Sequence, residues 1–169
     1  MKARAHAPAA MLLVGLCGPV VAGPSPAAPC AASTPALDRM EESTVVIDGT
    51  GSETAELRVK VADDSSELAA GFQNICAEAI GDTAVLFRFP APTRTPFHMR
   101  NVRAPLDIAF IDAEGDVVDV RRMEPYVDSV VLTHYPTYRS ARPFSSALET
   151  AAGKMEALGI RVGSRLTVR

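Results

Sequence analysis

No basic excess runs through this chain. Seventeen lysines and arginines stand against 20 aspartates and glutamates, for a net charge of −3. Nothing gathers the cations into a stripe that would track a phosphate backbone, which disfavours nucleic acid as a partner. Long apolar runs are also missing. The stretch from Met11 to Gly18 is too short to span a bilayer, and no later run is long enough. Three signatures of chemistry are absent: a Gly-x-Ser-x-Gly nucleophile turn, a glycine-rich phosphate loop and a His-x-x-x-His pair. The serines have no base at motif spacing. Cysteine is scarce, with Cys17, Cys30 and Cys76 only, too few in these contexts for a zinc site. The residues therefore point to no metal, no cofactor and no particular reaction.

What is present reads as a leader, a linker and one domain. Lys2 and Arg4 precede the short apolar stretch, and Val20 to Ala22 supplies modest residues where a signal peptidase cuts. Residues 1–22 are expected to be a signal peptide, cleaved after Ala22, with the mature protein periplasmic or secreted. Pro19 and Pro24 would break a buried helix there. Lipoprotein processing at Cys17 is disfavoured, because Leu16 is too large for the position before a lipidated cysteine. Loss of Lys2 and Arg4 with the leader takes the net charge from −3 to −5. Residues 23–43, rich in Pro, Ala and Ser, read as an extended linker. Cys30 and Cys76 remain in an oxidising compartment, where they can pair or stay as two free thiols.

Residues 44–169 carry the pattern of a single α+β domain. Hydrophobic content of 47% and charged content of 22% are those of a globular chain. Leu57, Val59 and Val61 alternate with polar residues, the mark of a strand with one wet face. Asp64 with Glu67 forms a capping-box pattern ahead of a short helix whose core face is Leu68 and Phe72. Val85 to Phe89 is a strand stopped by Pro90 and Pro92. Phe97 to Asn101 is an extended piece. Leu106–Asp112 and Val117–Met123 flank a hairpin turn with Gly115 at a position requiring positive φ. An irregular loop follows over 124–143. Ser146–Thr150 reads as a strand, Ala151–Leu158 as a helix stopped by Gly159, and Arg165–Arg169 as the closing strand. The sum is mainly antiparallel β with two short helices, a curled sheet or small barrel-like sandwich that hides its edges.

Six segments, in order and at sensible spacing, resemble the motifs of the family known as domain of unknown function 192. They are Glu67 to Phe72, Ala84 to Pro90, Phe97 to Val102, Pro105 to Asp112, Leu148 to Gly153 and Gly159 to Ser164. The Pro105-Leu-Asp-Ile run is the nearest match. His98 stands where the family has Trp, Arg100 replaces Lys, Val102 replaces Thr and Gln73 replaces Met. The resemblance implies a compact α+β domain with a curled sheet, often behind a signal peptide, and no established activity.

Asp107 is the sharpest single candidate for function. It alternates with Leu106, Ile108 and Phe110 on a strand whose two faces both look apolar, so its carboxylate needs a cation, backbone donors or a proton. Arg100, Asn101 and Arg103 are its nearest candidate partners in sequence. Asn101 also suits a turn closed by its own side chain. Glu149 is either a structural ion pair or, should it meet Asp107, half of a carboxylate pair. His98 projects away from Phe97 and Met99. All three tyrosines, Tyr126, Tyr135 and Tyr138, fall in or beside the loop with His134 and Arg139, which suits ligand contact or a loop held by its own rings.

The leading expectation is an envelope binding or accessory module with a cleft built from His98, Arg100, Asn101, Asp107 and Glu149. Its partner would be a small polar ligand, an envelope polymer or a protein. One alternative is a hydrolase-like enzyme using Asp107 and Glu149 as acid and base. The other is a structural or interaction domain whose motif residues only hold the fold.

Overall fold

The computed structural model describes residues 29–48, 54–126 and 135–169. The leader, and His134 in the loop, lie outside them. Four helices and seven strands follow in the order α1 (Pro35–Arg39), β1 (Glu41–Asp48), β2 (Thr54–Ala62), α2 (Ser65–Ala70), α3 (Ala77–Ile80), β3 (Ala84–Thr93), β4 (Leu106–Ile111), β5 (Val117–Met123), β6 (Phe144–Ala151), α4 (Lys154–Ala157) and β7 (Arg165–Val168).

Ordered structure starts earlier than a linker over 23–43 allows. Thr34 caps α1 by accepting a hydrogen bond from the Leu37 N–H, and a proline opens the helix, where its missing N–H costs nothing. Leu37 and Met40 are buried. The Pro/Ala composition masks this helix, and α3, a single turn of four residues, is too short to show a period. Around α2, Asp64 accepts from the backbone of Ser66 and Glu67, and these bonds lower its pKa. Glu67 reaches back to the N–H of Asp63, one residue before the cap.

The strands form one seven-stranded sheet in the order β5-β4-β6-β3-β2-β1-β7. All pairings are antiparallel except β2 with β3, whose crossover contains α2 and α3. The sheet curls without closing. Its two edges touch at one corner, where Val117 N donates to Ser164 O and Leu166 N to Gly115 O. Gly115 has φ +89, and a Cβ there would stand 2.7 Å from the Leu166 carbonyl oxygen, so the corner requires glycine.

Both faces are buried at the middle of the sheet, where all six residues of β4 are buried. Residues directly opposite across an antiparallel pair share a face. On one face Val85, Phe87, Leu106, Ile108, Phe110 and Ala147 pack under α1 to α3 and the Phe97–Val102 segment. On the other, Ala84, Leu86, Ala109, Ile111 and Leu148 pack with β1, β2, Met155 and Ile160. Cys30 and Cys76 form a disulfide. It joins the start of the described chain to the α2–α3 segment, beside backbone bonds from Ala31 N to Asn74 O and from Cys76 N to Ala31 O.

Candidate functional site

The five residues expected to share a cleft do not converge. Asp107 pairs with Thr150 across β4 and β6, whereas Glu149 pairs with Ile108. The two carboxyls therefore project from opposite faces of the sheet, and no acid–base couple can form between them. A side-chain period of two fixes this outcome.

Asp107 is satisfied, but not by its sequence neighbours. Its Oδ1 accepts from Arg122 Nε at 2.6 Å and its Oδ2 from the Gly153 N–H at 2.6 Å. Hydrogen bonding to Asp107, then its charge, raises the pKa of Arg122. Arg122 arrives there through a bulge. Ile111 pairs with Val117 but Phe110 with Asp119, so Val118 is the extra residue and the register slips by one. The bond to Gly153, which has φ +85, ties β4 to the turn that opens α4. Asp107 is thus a clamp across β5, β4 and the β6–α4 turn.

Asn101 and Arg100 shape the chain before β4. Asn101 has φ +58 and sits in the turn where Val102 N donates to Met99 O, while its carbonyl accepts from Asn74 N. Arg100 stands 5.7 Å from the Tyr135 ring centre. Tyr135 packs on Tyr126 at 5.1 Å. Tyr126 accepts from Met99 N and donates to Pro136 O, and burial raises its pKa. Tyr138 accepts from Glu124 N and shares a two-bond bridge with Phe97. These tyrosines hold the loop to the domain. Arg139 is exposed.

Glu149 is different. It is only 5% exposed, and among the described residues it makes no hydrogen bond and no ion pair. Burial alone pushes its pKa from 4.5 to about 8, since nothing nearby favours the charged form. Its carboxyl lines a depression of about 450 Å³, within the size range of small-molecule sites. Phe87, Phe89 and Phe97 form one wall, packed edge to face with centroids 5.2 and 6.5 Å apart. Leu68 and Gly71 form another, and His98 stands at the exposed rim. A Cβ on Gly71 would lie 3.0 Å from Phe87 Cζ and 3.5 Å from Glu149 Oε2, so this glycine keeps the approach to the carboxyl open.

Of the expected cleft residues, then, His98 and Glu149 share a site, and Arg100, Asn101 and Asp107 lie elsewhere. Phe87, Phe89, Leu68 and Gly71 were not expected as lining; in sequence they read as core and as a helix end. Among the described residues no cluster of His, Cys, Asp and Glu is arranged to hold a metal, and no helix is long and apolar enough to cross a membrane.

The fold is a curled α+β sheet, and on it a carboxyl without a partner among the described residues lines an aromatic depression. The chain belongs to the DUF192 family, described as uncharacterized ACR, whose family model matches residues 45–168. It is similar to the crystal structure of a protein from Sinorhizobium meliloti 1021 described as a candidate transcription regulator. That match has a TM-score of 0.67 and 25% identity, and covers 76% of this chain and 95% of that one. It is also similar to a protein of unknown function from Novosphingobium aromaticivorans DSM 12444, with a TM-score of 0.59 and 27% identity over 73% of this chain and 83% of that one. No curated protein matches the chain.

Two outcomes separate the carboxyls. Asp107→Asn keeps the shape but leaves one acceptor for two donors, so one bond is lost and the other loses its charge, and chemical denaturation should show a loss of about 1–3 kcal/mol. An unchanged midpoint would refute the clamp. For Glu149, the folded state holds the proton more tightly than the unfolded one. Its contribution is therefore full below pH 4.5 and falls as pH climbs to about 8, at about 1.4 kcal/mol per pH unit. Glu149→Gln should remove that slope; parallel wild-type and variant profiles would show that burial does not shift this group.

Proposed function

We propose that this protein is a small-ligand-binding module whose site is the depression above Glu149. One observation carries the reading: a carboxyl without a partner among the described residues is buried beneath an opening lined by phenylalanines. Desolvating a carboxyl is costly, and a fold that needed only packing would be served by Leu or Met. The Asp107 clamp supports the contrast, because it shows how the same sheet satisfies a buried carboxylate that is structural.

A nucleic-acid role finds no basic excess to support it in a chain of net charge −3. A hydrolytic pair of Asp107 and Glu149 is removed by their placement on opposite faces. The proposed setting is the cell envelope. The leader pattern over residues 1–22 favours it, and so does a disulfide joining Cys30 to Cys76, since such bonds persist in oxidising compartments.

A fragment screen followed by amide and methyl NMR tests the site. Binding should perturb Leu68, Gly71, Phe87 and His98 together and leave Arg122 and Gly153 unmoved. Hits that map only to the Asp107 side, or none at all, would sink the reading. For the setting, mass spectrometry of the protein made in a bacterial host should find a chain starting at Gly23 with its two cysteines oxidised. An uncleaved, reduced cytoplasmic product is the contrary result.

A further inference from the structure

We infer that the Glu149 depression takes an organic ammonium ion, a primary amine carried on a compact apolar body. The inference rests on reading the depression as a ligand site and goes on to name the ligand's chemistry. Among the described residues its lining holds no lysine and no arginine. An anionic ligand would find no counter-charge there and would meet a carboxyl. A cation finds a buried carboxyl that has no partner among the described residues.

The walls fit the same ligand. Phe87, Phe89 and Phe97 present apolar surface for the body of the molecule, and phenyl faces attract ammonium groups when water is excluded. The groups facing Glu149 offer no rival. Val85 and Ile108 flank it in register on β3 and β4. On α2, the Glu67 carboxylate is turned back to the Asp63 N–H. On β3, Arg88 is turned outward to Asp63. From the Phe97–Val102 segment, Arg100 lies over Tyr135, and among the described residues lining the depression His98 at the rim is the other titratable group. The chain's net charge of −3 favours the approach of a cation.

In the empty site the carboxyl keeps a proton up to about pH 8. An ammonium ion arriving below that pH displaces the proton to solvent, so charge balances: one cation enters and one H⁺ leaves. A neutral ligand that accepts a hydrogen bond from the protonated carboxyl would show the opposite behaviour, losing affinity as the proton leaves above pH 8.

The experiment is calorimetric titration of the intact protein with benzylamine and phenethylamine, and with the matching benzyl and phenethyl alcohols, from pH 6 to 8.5. The amines should bind with affinity rising about tenfold per pH unit to near pH 8, releasing about one proton each when two buffers of different ionisation enthalpy are compared. The alcohols should bind about tenfold more weakly or not at all, and Glu149→Gln should weaken the amines about tenfold or more. The wild-type pH profile stands as a test even if that variant fails to fold. Alcohols binding as well as amines, with affinity falling above pH 8, would overturn the inference and leave the ligand site standing. Amine binding indifferent to pH and to Glu149→Gln would also overturn it. If neither series binds and the fragment screen leaves the depression unperturbed, the ligand-site reading falls with it.

Discussion

Burial of the central strands on both faces sets the terms for every polar group they carry. A sheet with one wet face can let alternate residues meet water. Here β4 has no exposed residue, and β6 between β3 and β4 is nearly as enclosed. A carboxyl on either strand must be paired, protonated or matched by something from outside the chain. Asp107 and Glu149 are two different solutions to that requirement, one residue out of phase and on opposite sides of the same sheet.

The solution at Asp107 depends on register. Without the extra residue Val118, the hairpin would set Arg121 opposite Asp107; with it, Arg122 takes that place and Arg121 turns to Asp119. A single insertion thus decides which guanidinium reaches the carboxylate, while the Gly153 N–H supplies the second bond from the far end of β6. At Glu149 no comparable device exists among the described residues. Its cross-strand neighbours are Val85 and Ile108, and the turn above it ends in a glycine whose missing side chain leaves room for another molecule.

Much of this fold was legible as alternation. Leu57, Val59 and Val61, the β4–β5 hairpin and the Gly115 turn announce themselves through the period of two and through turn chemistry. Asn101 could be read as a turn former, and it occupies a left-handed position. The apolar run of β4 also betrayed that both faces of that strand are covered. The rest was non-local. Nothing in the spacing of Asp107 points to Gly153, 46 residues on. The separation of Asp107 from Glu149 follows from which residue of β6 stands opposite which of β4, and pairing between distant strands is not written in either strand alone. The depression was hidden for a related reason: Phe87, Phe89 and Phe97 look like ordinary core until α2 ends short of covering them. Single-turn helices such as α3 have too few residues to show a period at all.

The position of β6 has a consequence for how the molecule comes together. This strand begins at Phe144, yet it lies inside the sheet, third of seven, between β3 and β4. Strands β1 to β3 can associate on one side and the β4–β5 hairpin on the other, but neither half joins the other until the last quarter of the chain arrives. Closing such distant contacts is entropically slow. A nascent chain therefore keeps its two halves apart through most of its synthesis. The step that finally welds the two halves is also the step that carries Glu149 out of water.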